Sequence, residues 1–256
     1  MIFDTHAHYD DERYDADRDD LLGSMAQKGV GLILNASSDI KTSRASVELT
    51  KKYDFIYAAV GIHPHEVGDA PDDYIDILRG LCREKKVVAI GEIGLDYHYD
   101  FWPKEQQKQV FERQLELACE LDMPVVIHER EAVEDCLEIV RRYDFRGEFH
   151  CYSGSWETAR ELLGRGLYLG FGGAVTFKKA KKPLEVIKNM PLDRLLVETD
   201  CPYMTPEPFR GKRNDSTLIP YVLAKMAEIL ERTPEEVERI TLENGRRLFL
   251  EGVKEQ

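Results

Sequence analysis

The chain has 256 residues, of which 43% are hydrophobic and 32% charged. That is long enough for a core without disulfide staples and too apolar for disorder. No apolar run approaches the roughly 18 residues of a membrane span, and Met1-Ile2-Phe3-Asp4 carries no basic or apolar leader, so neither a membrane protein nor a signal peptide is expected. The formal net charge of −13 disfavours non-specific coating of nucleic acid. It leaves room for a local basic patch, or a metal, that binds phosphate.

Short β-type runs alternate with amphipathic stretches along the whole chain. The runs fall at 2–8, 31–36, 55–61, 87–91, 124–128, 147–150, 167–171 and 195–199. Helical patterns lie between them, at 72–82, 106–121 and 132–140 among others. The second carries Val110, Leu115, Leu117, Ala118 and Leu121 at mixed i+3 and i+4 spacings. Alternation of this kind predicts a parallel sheet. Eight units favour an α/β fold of the (β/α)8 TIM-barrel type over an open doubly wound sheet. The latter tends to carry a Gly-rich phosphate loop after its first strand, where this chain has His6-Ala7-His8. The stretch 202–211 reads as a long loop after the eighth strand. Thr233-Pro234-Glu235-Glu236 combines an N-cap, a Pro at N1 and a Glu at N3, so a helix from about 234 is expected to cover the barrel. With no linker or repeat, residues 1–256 are expected to form one domain.

The five cysteines, Cys82, Cys119, Cys136, Cys151 and Cys201, form no C-x-x-C pair. This fits a reducing cytoplasm better than a disulfide framework or a cysteine zinc site. Cys151 and Cys201 adjoin His150 and Asp200. Strand alternation is expected to turn both away from any site, as small buried hydrophobes.

The seven histidines are placed less evenly than chance suggests. His6 and His8 end the first run, His63 and His65 follow the third, His128 closes the fifth and His150 the sixth. Glu92 closes the fourth run and Asp200 the eighth, and His98 lies in the loop after the fourth. Barrel active sites form at the C-terminal ends of strands. His6 and His8, two apart, share one strand face. Taken alone the pair is a coincidence. Four histidines and two carboxylates at one end of a barrel are different, because the carboxylates would repel without a cation. Imidazole with carboxylate suits Zn, Mn, Fe, Co or Ni better than Mg.

The motifs FDTHAHYD at 3–10, GIHPH at 61–65, GEIGLDYH at 91–98, PVVIHER at 124–130, FHCYSG at 149–154 and ETDCPYMTP at 198–206 run from end to end. Together they resemble the TatD family of metal-dependent deoxyribonucleases, which are amidohydrolase-type barrels. The resemblance implies two divalent cations per subunit (Zn, Mn, Ni, Co or Mg). His6, His8 and Asp200 would hold the first, His128 and His150 the second, and Glu92 would bridge both. Many relatives of that superfamily bridge with a carboxylated lysine; Glu92 points to the TatD branch. Cys201, where a small residue is usual, and Glu129, inside the H-x-R motif, depart from the pattern without removing a ligand.

The implied reaction is 3′-5′ exonucleolytic hydrolysis of DNA, on single strands or strand ends, by a monomeric cytoplasmic enzyme. A metal-activated water attacks the phosphodiester, with Glu92 and Asp200 as catalytic carboxylates and Asp200 as general base. His63 and His65 either contact substrate phosphate or are solvent-exposed histidines of a Pro-kinked loop. Arg130 is a phosphate contact or an ion-pair partner of Glu129, Glu131 or Glu134. Lys178, Lys179, Lys181 and Lys182, and then Arg210, Lys212 and Arg213, form two basic loops where barrels often bind phosphate. Phe101, Trp102, Tyr203 and Phe209 offer base-stacking rings, or pack their loops; Phe101 reads as packing. The ligands themselves leave an ester, lactone, amide or small-phosphodiester hydrolase open. The basic loops favour an anionic substrate.

Overall fold

A computed structural model describes residues 1–251; positions 252–256 of the expected domain lie outside the described residues. In chain order the elements are β1 (Ile2–Ala7), α1 (Arg18–Gly23), β2 (Val30–Ala36), α2 (Ile40–Lys52), β3 (Ile56–Val60) and α3 (Tyr74–Leu81). There follow β4 (Val87–Asp96), α4 (Lys104–Leu121), β5 (Val125–Arg130), α5 (Val133–Val140), β6 (Gly147–Phe149) and α6 (Trp156–Gly164). Then come β7 (Tyr168–Phe171), α7 (Lys181–Asn189), β8 (Leu195–Val197), α8 (Ile219–Leu230) and α9 (Pro234–Gly245), followed by a π-helical turn at Arg246–Leu250. One eight-stranded sheet takes the strands in chain order, β1 to β8. The chain beyond β8 returns to β1: Ala7 bridges Cys201 in parallel, and the His8 N–H donates to the Cys201 carbonyl at 2.8 Å. This is the topology of a (β/α)8 barrel, as the alternation predicts. By contact density the chain divides into a unit of Met1–Asn35 with His150–Arg247 and a unit of Ala36–Phe149 joined by the described residues from Leu248.

In the first unit β1 is buried at all six positions, polar Asp4, Thr5 and His6 included. The Asp4 carboxylate makes that burial tolerable. It accepts from the Ser216 hydroxyl at 2.6 Å, the Thr199 hydroxyl at 2.7 Å and the Thr199 N–H at 2.9 Å. Asn214 extends the lattice by donating to the Thr199 and Tyr203 carbonyls at 3.0 and 2.7 Å. The loop after β8 is thereby tied to β1. Helix α9 starts where the sequence places it: Thr233 accepts from the Glu236 N–H, and the Glu236 side chain accepts from the Thr233 N–H. It packs on β1 and β8, with Asn244 donating to the Leu195 carbonyl at 2.8 Å. A Cβ at Gly245 would come within 2.7 Å of the Phe3 ring.

In the second unit β4 is the organising strand, buried at every position. It runs to Asp96 rather than ending near Gly91, and β5 runs to Arg130. Glu92 and His128 therefore sit inside their strands instead of closing them. Two glycines of β4 mark close approach. A Cβ at Gly94 would lie 2.0 Å from the His128 carbonyl oxygen, and one at Gly91 would lie 2.6 Å from Val126 Cβ. Helix α4 carries Gln107 and Gln114 seven residues apart, both buried on its inner face. Gln114 clamps Ile62, accepting from its N–H at 2.7 Å and donating to its carbonyl at 3.0 Å. Gln107 accepts from the Asp96 N–H at 3.0 Å. One helix face so positions both the segment before His63 and the end of β4.

Candidate metal centre

The first unit gathers His6, His8, His150 and Asp200. His6 Nε2 and His8 Nε2 are 3.0 Å apart, as two neighbours on one strand face should be. The His6 and His150 rings stack with centroids 3.8 Å apart. Asp200 Oδ1 lies 3.4 Å from His8 Nε2 and 3.8 Å from His6 Nε2. Asp200 sits in the left-handed region, at φ 56°, where a non-glycine residue is strained. Its N–H donates to the His6 carbonyl at 2.9 Å, and its carbonyl accepts from the Tyr203 N–H at 2.8 Å. The turn so held aims the carboxylate at the imidazoles. Burial opposes ionisation of Asp200, but the His8 hydrogen bond and the nearby His150 and His6 hold it below the usual carboxylate range. Beneath, burial pushes Asp4 up to about 6 despite its hydrogen bonds.

The second unit gathers His63, His65, Glu92, Asp96 and His128. His128 lies between two carboxylates, its Nδ1 2.7 Å from Glu92 Oε1 and its Nε2 3.0 Å from Asp96 Oδ2. His63 Nε2 is 3.3 Å from Glu92 Oε1, and His65 Nε2 is 2.9 Å from Asp96 Oδ2. Burial works against a charged His128, yet hydrogen bonds to Asp96 and Glu92 push it up to about 9. Burial also opposes ionisation of Asp96, but hydrogen bonds from His128 and His65 hold its carboxyl far below the carboxylate range. Burial lowers His63 to about 4, and its side chain is only 11% exposed. His63 is therefore not the solvent-exposed loop histidine of one sequence reading; His65 is half-buried.

Two carboxylates near these histidines escaped the sequence reading. Glu198 and Asp96 each lie an even number of residues from a named acid, Asp200 and Glu92. The period-two rule that paired His6 with His8 leads from Glu92 to Asp96 within β4, whereas Glu198 and Asp200 lie beyond β8, where it no longer applies. Glu198 Oε1 is 3.9 Å from His150 Nδ1 and accepts from the Cys151 N–H at 2.6 Å. Cys151 departs from expectation. It lies past the end of β6 at φ 45°, where strand alternation no longer applies, and is half-buried. Cys201 is buried as expected, and burial pushes its thiol up to about 12. His98 pairs with Glu131 at 2.6 Å.

The tentative substrate contacts are divided. Arg130 is exposed, makes no ion pair among the described residues, and has its guanidinium carbon 5.0 Å from the Tyr99 ring centroid. Arg210 is exposed, 4.4 Å from the Phe177 ring centroid. Arg213 is committed elsewhere, gripping both Asp17 oxygens at 2.7 and 2.6 Å. Lys178 and Lys179 precede α7, whereas Lys181 and Lys182 form its first turn, which has no acidic residue. The rings also sort. Trp102 packs inward, Nε1 donating to the His65 carbonyl at 2.8 Å, and Phe209 packs on Tyr221. Tyr203 and Phe101 are exposed, and Phe101 packs on Tyr99 and His65 with the rest of its ring in solvent.

The donor chemistry fits divalent cations. One ligand atom each from His6, His150 and Glu198 lies within 4.8 Å of the others, and the same holds for His63, Glu92 and His128. Bonds of about 2.1 Å in a tetrahedral site put donor atoms about 3.4 Å apart, close to the His8–Asp200 and His63–Glu92 separations. No helix is long and apolar enough to cross a membrane among the described residues.

A family model described as TatD related DNase matches residues 3–250. The metal-dependent hydrolase YabD of Bacillus subtilis is 47% identical over 252 residues, covering 97% of this chain and 99% of its own. The 3′-5′ ssDNA/RNA exonuclease TatD of Cronobacter sakazakii is 32% identical, with 98% of each chain covered. Among solved structures, the TatD homolog YjjV of Escherichia coli superposes with a TM-score of 0.92 at 32% identity, covering 97% of this chain and 98% of that one. The collinear motifs, the barrel and the clustered imidazoles and carboxylates thus agree: the chain belongs to the TatD-related DNase family of metal-dependent hydrolases.

Proposed function

We propose that this hydrolase is a 3′-5′ exodeoxyribonuclease acting on single-stranded DNA or strand ends, as a cytoplasmic monomer that uses two divalent cations. The proposed ligand set is His6, His8, Glu92, His128, His150 and Asp200. The observation that carries the reading is the convergence of imidazole nitrogens and carboxylate oxygens within each unit, at separations suited to metal binding. An imidazole-rich set favours Zn, Mn, Ni or Co over Mg. Support for a nucleic-acid substrate comes from the Cronobacter exonuclease relative. It comes also from exposed Lys178, Lys179, Lys181, Lys182, Arg130 and Arg210, none in an ion pair among the described residues.

Bound cations would acidify a water and offset charge on the phosphate. Asp200, held ionised by its histidine neighbours, is the proposed general base that takes the proton of the attacking water. Half-buried His65 and exposed Arg130 and Arg210 are the proposed phosphate contacts. His63, packed on Glu92, is proposed to orient that carboxylate. The test is a turnover panel with Mn²⁺, Zn²⁺ or Mg²⁺, comparing 5′-labelled single-stranded DNA with ester, lactone and amide substrates, and His128→Ala as control. Stepwise shortening from the 3′ end, absent in the variant, is expected. Ester or amide turnover without DNA shortening overturns the reading.

A further inference from the structure

After β4 the chain enters a loop that Asp96, the last residue of the strand, holds. Its Oδ1 accepts from the His98 N–H at 2.9 Å and the Tyr99 N–H at 3.3 Å, while Oδ2 receives His65 and His128. One carboxylate therefore fixes the loop and the imidazoles together. Of the four aromatics that follow, Tyr97 donates its hydroxyl to Asp135 at 2.7 Å, and Trp102 fills the space above Gly68, where a Cβ would lie 2.1 Å from its ring. Tyr99 and Phe101 are left outside, 42% and 58% exposed. Their rings stack on each other at 5.3 Å and 15°. The edge of the His65 ring meets both, at 5.3 Å from Tyr99 and 4.9 Å from Phe101. Arg130 covers Tyr99. An unbroken line of contacts runs from Phe101 through His65, Asp96 and His128 to Glu92.

Exposed rings that touch one another form a contiguous apolar patch, the kind of surface that marks a binding site. Here they are flat, mutually stacked, flanked by a guanidinium and held against the acid–histidine cluster. Those are the parts of a single-strand binding platform: a π-face for a base and a cation for the next phosphate. We propose that Phe101, backed by Tyr99, stacks on a nucleobase of the substrate strand next to the scissile phosphate, with Arg130 holding the adjoining phosphate. A paired base inside a duplex cannot present its face, so the platform selects single strands and frayed ends. It is tolerant of sequence, because every base has a π-face. The inference rests on the nuclease reading above and adds the element that chooses the form of the strand.

The test uses the whole protein loaded with Mn²⁺ and single-stranded oligonucleotides that are intact or abasic near the 3′ end. It compares wild type with Phe101→Ala, Phe101→Leu and Phe101→Trp. Loss of a stacked base costs about 1–3 kcal/mol, so KM for the intact strand should rise about 5- to 150-fold in Phe101→Ala. Intact and abasic strands should then have equal KM values, as they do not in wild type. Phe101→Trp should keep the discrimination, and Phe101→Leu, apolar but without a π-face, should lose it. An oligonucleotide carrying 2-aminopurine should be quenched on binding by wild type and Phe101→Trp, and not by Phe101→Ala. Cleavage by wild type with unchanged KM and quenching in Phe101→Ala overturns the platform alone, as does full discrimination in Phe101→Leu. No binding or cleavage of any strand by wild type overturns the nuclease reading and the platform with it.

Discussion

The two units hold their histidines in opposite ways. In the first, His6 stacks on His150 and lies 3.0 Å from His8, with Asp200 3.4 Å from His8 and Glu198 3.9 Å from His150. In the second, imidazole faces carboxylate: His128 lies between Glu92 and Asp96 at 2.7 and 3.0 Å, and His65 pairs with Asp96 at 2.9 Å. The second arrangement is satisfied by a proton, which is why His128 is pushed up to about 9. The stacked and edge-on imidazoles of the first unit are instead arranged to offer nitrogen ligands to a cation. Their supports differ as well. The first unit rests on a buried acid, Asp4, and the second on two buried amides of α4, Gln107 and Gln114.

The largest expected effect lies on the first unit's acid. Asp200→Asn should lower kcat by about 10²–10⁴-fold, the usual worth of a general base, with metal content by mass spectrometry little changed. Equal losses of metal and rate would remove the base assignment. Next come the supports. Asp4→Ala leaves two hydroxyls and two N–H groups without their buried acceptor and should cost at least about 3 kcal/mol in urea unfolding, at roughly 1–3 kcal/mol per unsatisfied group. Gln114→Leu strands the N–H and carbonyl of Ile62 and should cost about 2 kcal/mol. If Gln114→Leu proves the more damaging, the contrast between a charged and an amide support is wrong.

The smallest effect is a pH slope. A ligand imidazole must be neutral, and His128 is protonated in the metal-free chain below about pH 9. Metal affinity should therefore rise about tenfold per pH unit up to that value and flatten above it. Asp200, already ionised, adds no slope there. Calorimetry at pH 7.5 in phosphate and in Tris should find about one proton fewer released on Mn²⁺ binding by His128→Ala than by wild type. Identical proton release in the two would break the contrast between the units.

Some of this site was readable in one dimension because its signals are local. His6 and His8 share a face by alternation alone, and the Thr233–Glu236 cap marks a helix start in four residues. Alternation also leads from Glu92 to Asp96 within β4. Other features have no local signal. Gly91 and Gly94 look like breaks until β5 is seen pressed against them, leaving no room for a Cβ. Arg213 looks like a phosphate contact until Asp17, far away in sequence, takes both its nitrogens.

Sequence by itself determined the strand–helix alternation and the eight-strand count. These follow from hydrophobic period and residue chemistry, which are properties of neighbouring positions. Tertiary structure alone decided which nitrogen faces which oxygen, and whether a buried histidine meets a carboxylate or another ring. It also decided that of Phe101 and Trp102 the indole goes inward. The bare Gly68, on a distant stretch of chain, leaves space for that one ring, and Phe101 is left facing solvent. Packing is a competition for space among residues remote in sequence, and its outcome is not written at either position.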